Sequence, residues 1–161
     1  EVLVRHAMDT DRAAFFASLK DHLTPKQEAR VGGLVRRRMA GEPLAYVLGF
    51  REFYGLEFMV NPSVLVPRQE TELLVDLARE RCPEPADRRV ADLGCGSGCI
   101  GVTLALELPG LAVWGFDRSE DALACTRLNA ERLGAELKLV GGDGFEALAA
   151  AVAASLYLLG H

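Results

Sequence analysis

A glycine cluster with three carboxylates around it has the residue types and the spacing of a ligand-binding site. The cluster, Gly94–Gly98, places a glycine at every second position, so the chain can turn sharply there with positive φ angles. Asp92 stands just before the cluster, and Asp117 and Asp143 each follow a later apolar segment. No lysine or arginine lies within Val90–Phe116. Such acidic surroundings suit a ligand with positive charge and hydroxyl groups, because ionised carboxylates only accept hydrogen bonds.

The spacing of apolar residues predicts the elements that position this cluster. Val90–Leu93 has the length and composition of a strand, Cys99–Leu108 has helical spacing, and Ala112–Phe116 is a second strand. Two parallel strands joined by a helix form a right-handed crossover, and ligands bind beyond the carboxyl ends of such strands. The glycine cluster and Asp117 are therefore predicted to face one pocket.

Two kinds of ligand fit the glycine pattern. Gly96–Gly101 satisfies the G-x-G-x-x-G pattern of dinucleotide sites, which would indicate a nicotinamide or flavin oxidoreductase. A pyrophosphate binds N–H groups at a helix N-terminus, however, and a carboxylate beside them, such as Asp92, opposes it. S-adenosylmethionine carries a sulfonium, an ammonium and a ribose diol. We favour it, with Asp117 accepting both ribose hydroxyls and Asp143 meeting the adenine amino group; for Asp92 the alternative is a turn cap.

The first 41 residues have helical patterns. Thr24–Gln27 has the residues of a capping box with proline at the first helical position, and Gly41 ends the helix that follows. A shorter helix is predicted over Ala13–Leu19. The basic run Arg36–Arg38 is interpreted as a solvated helix face, with contact to phosphates or to an acidic partner as the alternative.

A hairpin and a helix are predicted between this region and the glycine cluster. Arg51–Val60 alternates apolar and polar residues on both sides of Gly55, which indicates a β-hairpin. A helix is expected over about Glu70–Arg81. Its apolar face is expected to consist of Leu73, Leu74, Leu77 and Ala78.

Further elements are predicted after Asp117. Ser119 is a good N-cap for a helix that ends at Gly134, and Leu137–Val140 is a third strand. The turn that follows brings Asp143 to the ends of the strands. Phe145–Leu159 is mainly alanine and leucine, which predicts one helix.

Composition and charge exclude several classes of protein. The 161 residues have a formal net charge of −5, which argues against a generic nucleic-acid binder. No apolar run approaches the roughly 20 residues of a membrane span, and neither a signal peptide nor a location outside the cytoplasm is expected. The four cysteines lack Cys-x-x-Cys spacing and clustered histidines, so neither a metal site nor a disulfide framework is predicted. Residue 1 is glutamate rather than methionine, and the chain is expected to be incomplete.

Four segments in this order resemble the release factor glutamine methyltransferase family of the HemK type, within the class I S-adenosylmethionine-dependent methyltransferases. They are Gly41–Tyr46, Arg51–Tyr54, Val66–Glu72 and Asp92–Gly98. The resemblance covers residues 41–145, and residues 1–40 resemble the later part of the family's small helical N-terminal domain. It implies an α/β fold with an incomplete Rossmann-like sheet of three strands. The expected divisions are a helical domain at 1–41, a hairpin linker at 42–67 and a truncated cofactor-binding domain at 68–161.

The family's activity is transfer of a methyl group from S-adenosylmethionine to the side-chain amide nitrogen of the glutamine in the Gly-Gly-Gln motif of a peptide-chain release factor. The resemblance implies an S-adenosylmethionine-binding set consisting of Gly94, Cys95, Gly96, Ser97, Gly98, Asp117, Asp143 and Gly144. It places Phe53, Arg68 and Glu72 toward the substrate, with plain packing and helix capping as the alternative for these three. No direct contact with nucleic acid or membrane is expected.

One motif of the family is missing. Its Asn-Pro-Pro-Tyr loop accepts hydrogen bonds from the substrate amide, whereas the asparagines here are Asn61 and Asn129 and no two prolines adjoin. No catalytic residue is therefore assigned, and the chain taken alone is expected to have weak or no methyltransferase activity. A non-catalytic module that binds the cofactor or the release factor, and a methyltransferase acting on another amide or amine, remain as alternatives.

Overall fold

Helices make up the first of the two units into which the chain divides, Glu1–Gly49 and Phe50–His161. The computed structural model describes residues 1–84 and 88–150. The helices of the first unit are α1 (Val2–Met8), α2 (Arg12–Ala17), α3 (Pro25–Met39) and α4 (Leu44–Leu48). Helix α2 confirms the short helix expected from the sequence, whereas α1 lies in a stretch for which only a general helical pattern was recognised.

The capping box at the start of α3 is confirmed. The Thr24 hydroxyl accepts the Gln27 N–H at 3.3 Å, and the Gln27 side chain accepts the Thr24 N–H at 2.8 Å. At the other end, Arg37 donates from Nε to Glu42 at 2.8 Å and from Nη2 to the Tyr46 carbonyl at 3.0 Å. The middle residue of the basic run therefore joins the end of α3 to α4, a role that neither sequence interpretation included.

A β-hairpin opens the second unit and confirms the predicted alternation. Strands β1 (Phe50–Phe53) and β2 (Leu56–Met59) are antiparallel, and the turn between them holds Tyr54 and Gly55 at φ 54° and 73°. Phe53 and Phe58 meet edge to face with ring centroids 6.1 Å apart. Both rings belong to the buried core of the unit.

A parallel sheet follows, with its strands in the order β3-β4-β5. The strands, β3 (Arg89–Leu93), β4 (Ala112–Asp117) and β5 (Lys138–Gly141), confirm the three predicted. Helix α6 (Cys99–Glu107) connects β3 to β4, and α7 (Glu120–Leu133) connects β4 to β5. Residues 144–150 are helical, and the rest of the helix expected over Phe145–Leu159 lies outside the described residues.

The apolar face expected for α5 (Glu72–Arg81) is wrong for its leucines. Leu73 and Leu74 are 59% and 52% exposed, whereas Val75 is fully buried. The face that packs on the core consists of Val75, Ala78 and Cys82, which follow one another at intervals of about one helical turn. These side chains pack in the core that contains the hairpin phenylalanines and residues of α6. No helix within residues 1–84 and 88–150 combines the length and apolar character of a membrane span.

Candidate cofactor site

The glycine cluster forms a left-handed loop between β3 and α6. Gly94, Gly96 and Gly98 have φ angles of 74°, 58° and 79°, a region that side chains rarely adopt. A Cβ on Gly94 would meet no heavy atom within 4 Å, whereas a Cβ on Gly98 would lie 2.7 Å from Cγ2 of Thr126. One side of the loop is therefore open and the other is pressed against α7.

Asp92 is buried beneath the loop rather than on its open side. Its Oδ2 accepts the N–H of Gly101, in the first turn of α6, at 2.9 Å, and the residue is only 8% exposed. Burial raises the pKa of this carboxyl, the Gly101 hydrogen bond opposes the rise, and the charge of Asp117 adds to it. The capping alternative thus describes Asp92. The Asp92 carboxylate also occupies an N–H group at the helix terminus where a pyrophosphate would bind.

The raised pKa of Asp92 predicts how stability depends on pH. Because the folded pKa lies above the ordinary value of 3.8, the contribution of Asp92 to the free energy of unfolding is full below that value and falls as pH rises through the folded pKa. Asp92→Asn keeps an acceptor for Gly101 and removes the titration. In urea unfolding between about pH 3 and pH 7, we expect wild type to lose stability relative to Asp92→Asn as pH rises. A wild-type free energy of unfolding that stays constant or rises relative to that of Asp92→Asn over this range would contradict this.

Asp117 is a fixed acceptor at the end of β4. Its Oδ2 accepts the Gly96 N–H at 3.0 Å, and its Oδ1 accepts the Ser119 N–H at 3.0 Å. The two bonds hold the half-buried carboxylate against the loop from one side and against the start of α7 from the other. Each oxygen has a second lone pair. The carboxylate can therefore accept two further donors, such as the hydroxyls of a diol.

The end of β5 lies beside Asp117, as the parallel topology predicts. The N–H of Gly142 donates to the Asp117 carbonyl at 3.0 Å, which extends the pairing of β4 with β5 by one residue. Asp143 follows directly and is exposed, and its carbonyl accepts the Ala147 N–H at 2.9 Å. A Cβ on Gly144 would meet nothing within 4 Å. The residues expected at the adenine edge thus follow the strand end that pairs with the Asp117 backbone.

The three residues expected on the substrate side have different environments. Phe53 is 1% exposed and packs in the core, so the packing alternative describes it and a substrate could not reach it. Glu72 accepts the Tyr54 N–H at 2.9 Å and fixes the hairpin turn to the start of α5. Arg68 is exposed and precedes the short 3-10 helix Gln69–Thr71.

Two buried polar residues of α7 hold the loop, and sequence reasoning missed them. Thr126 donates from Oγ1 to the Gly96 carbonyl at 2.9 Å, and Asn129 donates from Nδ2 to the Ser97 carbonyl at 2.9 Å. Both side chains are fully buried. Because a peptide unit is planar, fixing the Gly96 carbonyl toward α7 turns the Ser97 N–H toward the opposite side. Their spacing of one helical turn within a mostly apolar stretch was the available signal.

The cysteine of the loop adds no charge to the site. Burial raises the pKa of Cys95 to about 11, so the thiol is neutral at pH 7. Cys99 also has its pKa raised to about 11 by burial. Over residues 1–84 and 88–150 no three potential ligands converge as a metal site would require.

A glycine loop after one parallel strand and an aspartate at the end of the next occur both in dinucleotide-binding Rossmann domains and in the Rossmann-like class I methyltransferases. The methyltransferase small domain family matches residues 69–155, and the PrmC N-terminal domain family matches residues 1–49. The chain belongs to the release factor glutamine methyltransferase family, of the HemK type. S-adenosylmethionine is the cofactor of this family.

Two curated relatives and one solved structure illustrate what this chain is similar to. A release factor glutamine methyltransferase of Geobacter sulfurreducens is 45% identical over 92% of this chain and 51% of its own length. One from Bordetella pertussis is 45% identical over 92% of this chain and 55% of its own length. The chain thus spans about half the length of these relatives. The tRNA (uracil-54, C5)-methyltransferase of Pyrococcus abyssi, solved with S-adenosyl-L-homocysteine, is 21% identical with a TM-score of 0.47 over 58% of this chain and 23% of its own.

Proposed function

We propose that this chain is the cofactor-binding part of an enzyme that methylates the side-chain amide nitrogen of the Gly-Gly-Gln glutamine in a peptide-chain release factor. The observation that carries the proposal is the fixed carboxylate of Asp117 beside an open glycine loop. The partner is a release factor, and the site of action is the cytoplasm, where translation terminates. Direct contact with nucleic acid is not part of the proposal.

The proposed binding mode assigns a part of S-adenosylmethionine to each feature. Gly94–Gly98, with Cys95 and Ser97 contributing backbone groups, would hold the methionine portion on the open side of the loop. Asp117 would accept the two ribose hydroxyls through its remaining lone pairs. Asp143 and Gly144 would line the adenine edge. The cofactor supplies an electrophilic methyl group, and these residues bind and orient it.

Positioning is the main demand of the proposed reaction. An amide nitrogen is a poor nucleophile, because its lone pair is delocalised into the carbonyl. Holding such a nitrogen in line with the methyl group can contribute roughly 7 to 11 kcal/mol to lowering the barrier. In the family this is the role of the Asn-Pro-Pro-Tyr loop, which the present 161 residues lack. Arg68, which is exposed, and Glu72, at the start of α5, are proposed to lie on the side from which the substrate approaches.

We expect binding without efficient turnover in this chain. With S-adenosylmethionine labelled at the methyl group and a purified release factor, the chain should transfer methyl at least about 1000-fold more slowly than a full-length family member assayed in parallel, because the substrate amide is not held. Calorimetry should nevertheless detect binding of the cofactor. Transfer at a rate comparable to the full-length enzyme would refute the expected impairment.

The same pair of measurements separates the other functions. Binding of both the cofactor and the release factor in calorimetry, with no methyl transfer detectable even at long incubation, would favour a non-catalytic binding module over a slow enzyme. Transfer to another protein or nucleic-acid amide or amine, but not to the release factor, would favour a different substrate. Absence of S-adenosylmethionine binding would overturn the proposal as a whole.

A further inference from the structure

The side chain of Asn129 binds both backbone groups of one hairpin residue. Its Oδ1 accepts the Met59 N–H at 2.8 Å, and its Nδ2 donates to the Met59 carbonyl at 2.9 Å. Backbone groups on a strand edge normally pair with another strand. Here a side-chain amide from α7 takes that place at the end of β2. The thiol of Cys125 adds a weak bond to the same carbonyl at 3.4 Å.

The same amide also holds the cofactor loop. The same Nδ2 group also donates to the Ser97 carbonyl at 2.9 Å. Its two hydrogens therefore bind two carbonyls from separate parts of the unit. Asn129 is fully buried, and no water can replace a lost bond without a rearrangement. Aspartate has no donor for the two carbonyls, and leucine has neither donor nor acceptor. Only a short amide meets all three requirements at this position.

We infer that Asn129 is a positioning residue that couples the β1–β2 hairpin to the glycine loop. A shift of Met59 must move the Asn129 amide or break its bonds to Met59, and a moved amide also changes its bond to the Ser97 carbonyl on the loop. The coupling runs equally in the other direction, because a linkage free energy is reciprocal. Binding at the loop therefore restrains the hairpin. This second statement rests on the proposed binding of S-adenosylmethionine, whereas the link itself is a property of the free chain.

Amide hydrogen exchange of the free chain tests the link directly. In Asn129→Leu we expect the Met59 and Gly98 amides to exchange at least about tenfold faster relative to the Val113 amide in the central strand, because the acceptor of the Met59 N–H and the donors to both carbonyls are lost. Thr126→Val, which removes the bonds to the Gly96 carbonyl and the Cys95 thiol but leaves those of Asn129, should accelerate Gly98 and leave Met59 within about threefold. Val75→Ala, a buried change that touches neither segment's link to α7, should accelerate all three amides alike. Asn129→Ser replaces Asn129→Leu should the latter not fold, because its hydroxyl is too short to serve both carbonyls.

A second arm adds saturating S-adenosylmethionine. In wild type we expect slower exchange at both Gly98 and Met59, and in the Asn129 variant slower exchange at Gly98 alone. If the Met59 and Gly98 amides exchange no faster relative to the Val113 amide in the free variant than in wild type, the link is overturned. If the cofactor slows exchange at the Gly98 amide of wild type but not at the Met59 amide, the coupling is overturned. If the cofactor changes no amide, the proposed function fails, and the free-chain comparison still decides the role of Asn129.

Discussion

Asp117→Asn is expected to weaken the binding of S-adenosylmethionine by at least about 100-fold. A hydrogen bond to a charged group contributes roughly 1.5 to 3 kcal/mol, and the proposed site makes two such bonds to the ribose hydroxyls. The amide also places N–H hydrogens where the carboxylate now accepts Gly96 or Ser119, so one of these backbone donors loses its partner. The measurement is calorimetric titration of both proteins with the cofactor, with circular dichroism to verify folding.

Asp121→Asn is the matched control for this change. Asp121 is an exposed aspartate in the first turn of α7, so the substitution removes the same charge four positions along the chain from Asp117. We expect its affinity for the cofactor to remain within about threefold of wild type, because exposed charges interact weakly through water. Equal losses in the two variants would mean that net charge, rather than the Asp117 geometry, determines binding.

Gly98→Ala is expected to be the most destabilising single substitution in the loop. A left-handed conformation costs a residue with a Cβ roughly 1 to 2 kcal/mol, and the added Cβ would lie 2.7 Å from Cγ2 of Thr126, well inside contact distance. Overpacking of this kind costs about 1 to 3 kcal/mol more. The free energy of unfolding from urea titrations should therefore fall by about 2 to 5 kcal/mol in total.

Two further variants separate the clash from the backbone strain. Gly134 ends α7 at φ 75°, close to the 79° of Gly98, and a Cβ there would meet nothing within 4 Å. Gly134→Ala should thus lose only the conformational part. Thr126→Ser removes Cγ2 but keeps the hydroxyl bond to Gly96, so it should recover part of the stability of Gly98→Ala. If Gly98→Ala and Gly134→Ala lose equal stability, the contact with Thr126 is not tight.

Local signals in the sequence predicted most of the elements. The Thr24 capping box, the Gly55 hairpin and the three strands each depend on residues within a few positions of one another, and all are present in the structure. The position of Asp117 beside the glycine loop could be predicted from topology, since the carboxyl ends of parallel strands lie at one edge of the sheet.

Contacts between distant segments could not be predicted from the sequence. Asn129 binds Met59, 70 positions away in the chain, and no local pattern marks such a pair. The leucines of α5 were assigned to the core because they are apolar, yet the phase of the helix is fixed by Val75 against the hairpin. The sequence position of Asp92, next to the glycine cluster, predicts a carboxylate that faces the ligand. In the structure its hydrogen bond to the Gly101 N–H holds it beneath the loop instead.

The role of Asp92 alters the electrostatic argument for the cofactor without reversing it. A carboxylate on the open side of the loop would attract the sulfonium directly. A carboxylate under the helix N-terminus instead occupies one of the N–H groups that a pyrophosphate requires and opposes the dipole that would attract one. Asp117 remains as the acidic group beside the open loop.

Parallel calorimetric titrations of the chain with S-adenosylmethionine and with NADH test this selection most directly. We expect a saturable binding isotherm for the methyl donor, its loss in Asp117→Asn, and no measurable binding of the dinucleotide at the same concentrations. Binding of NADH in the absence of any isotherm for S-adenosylmethionine would contradict the assignment of the site.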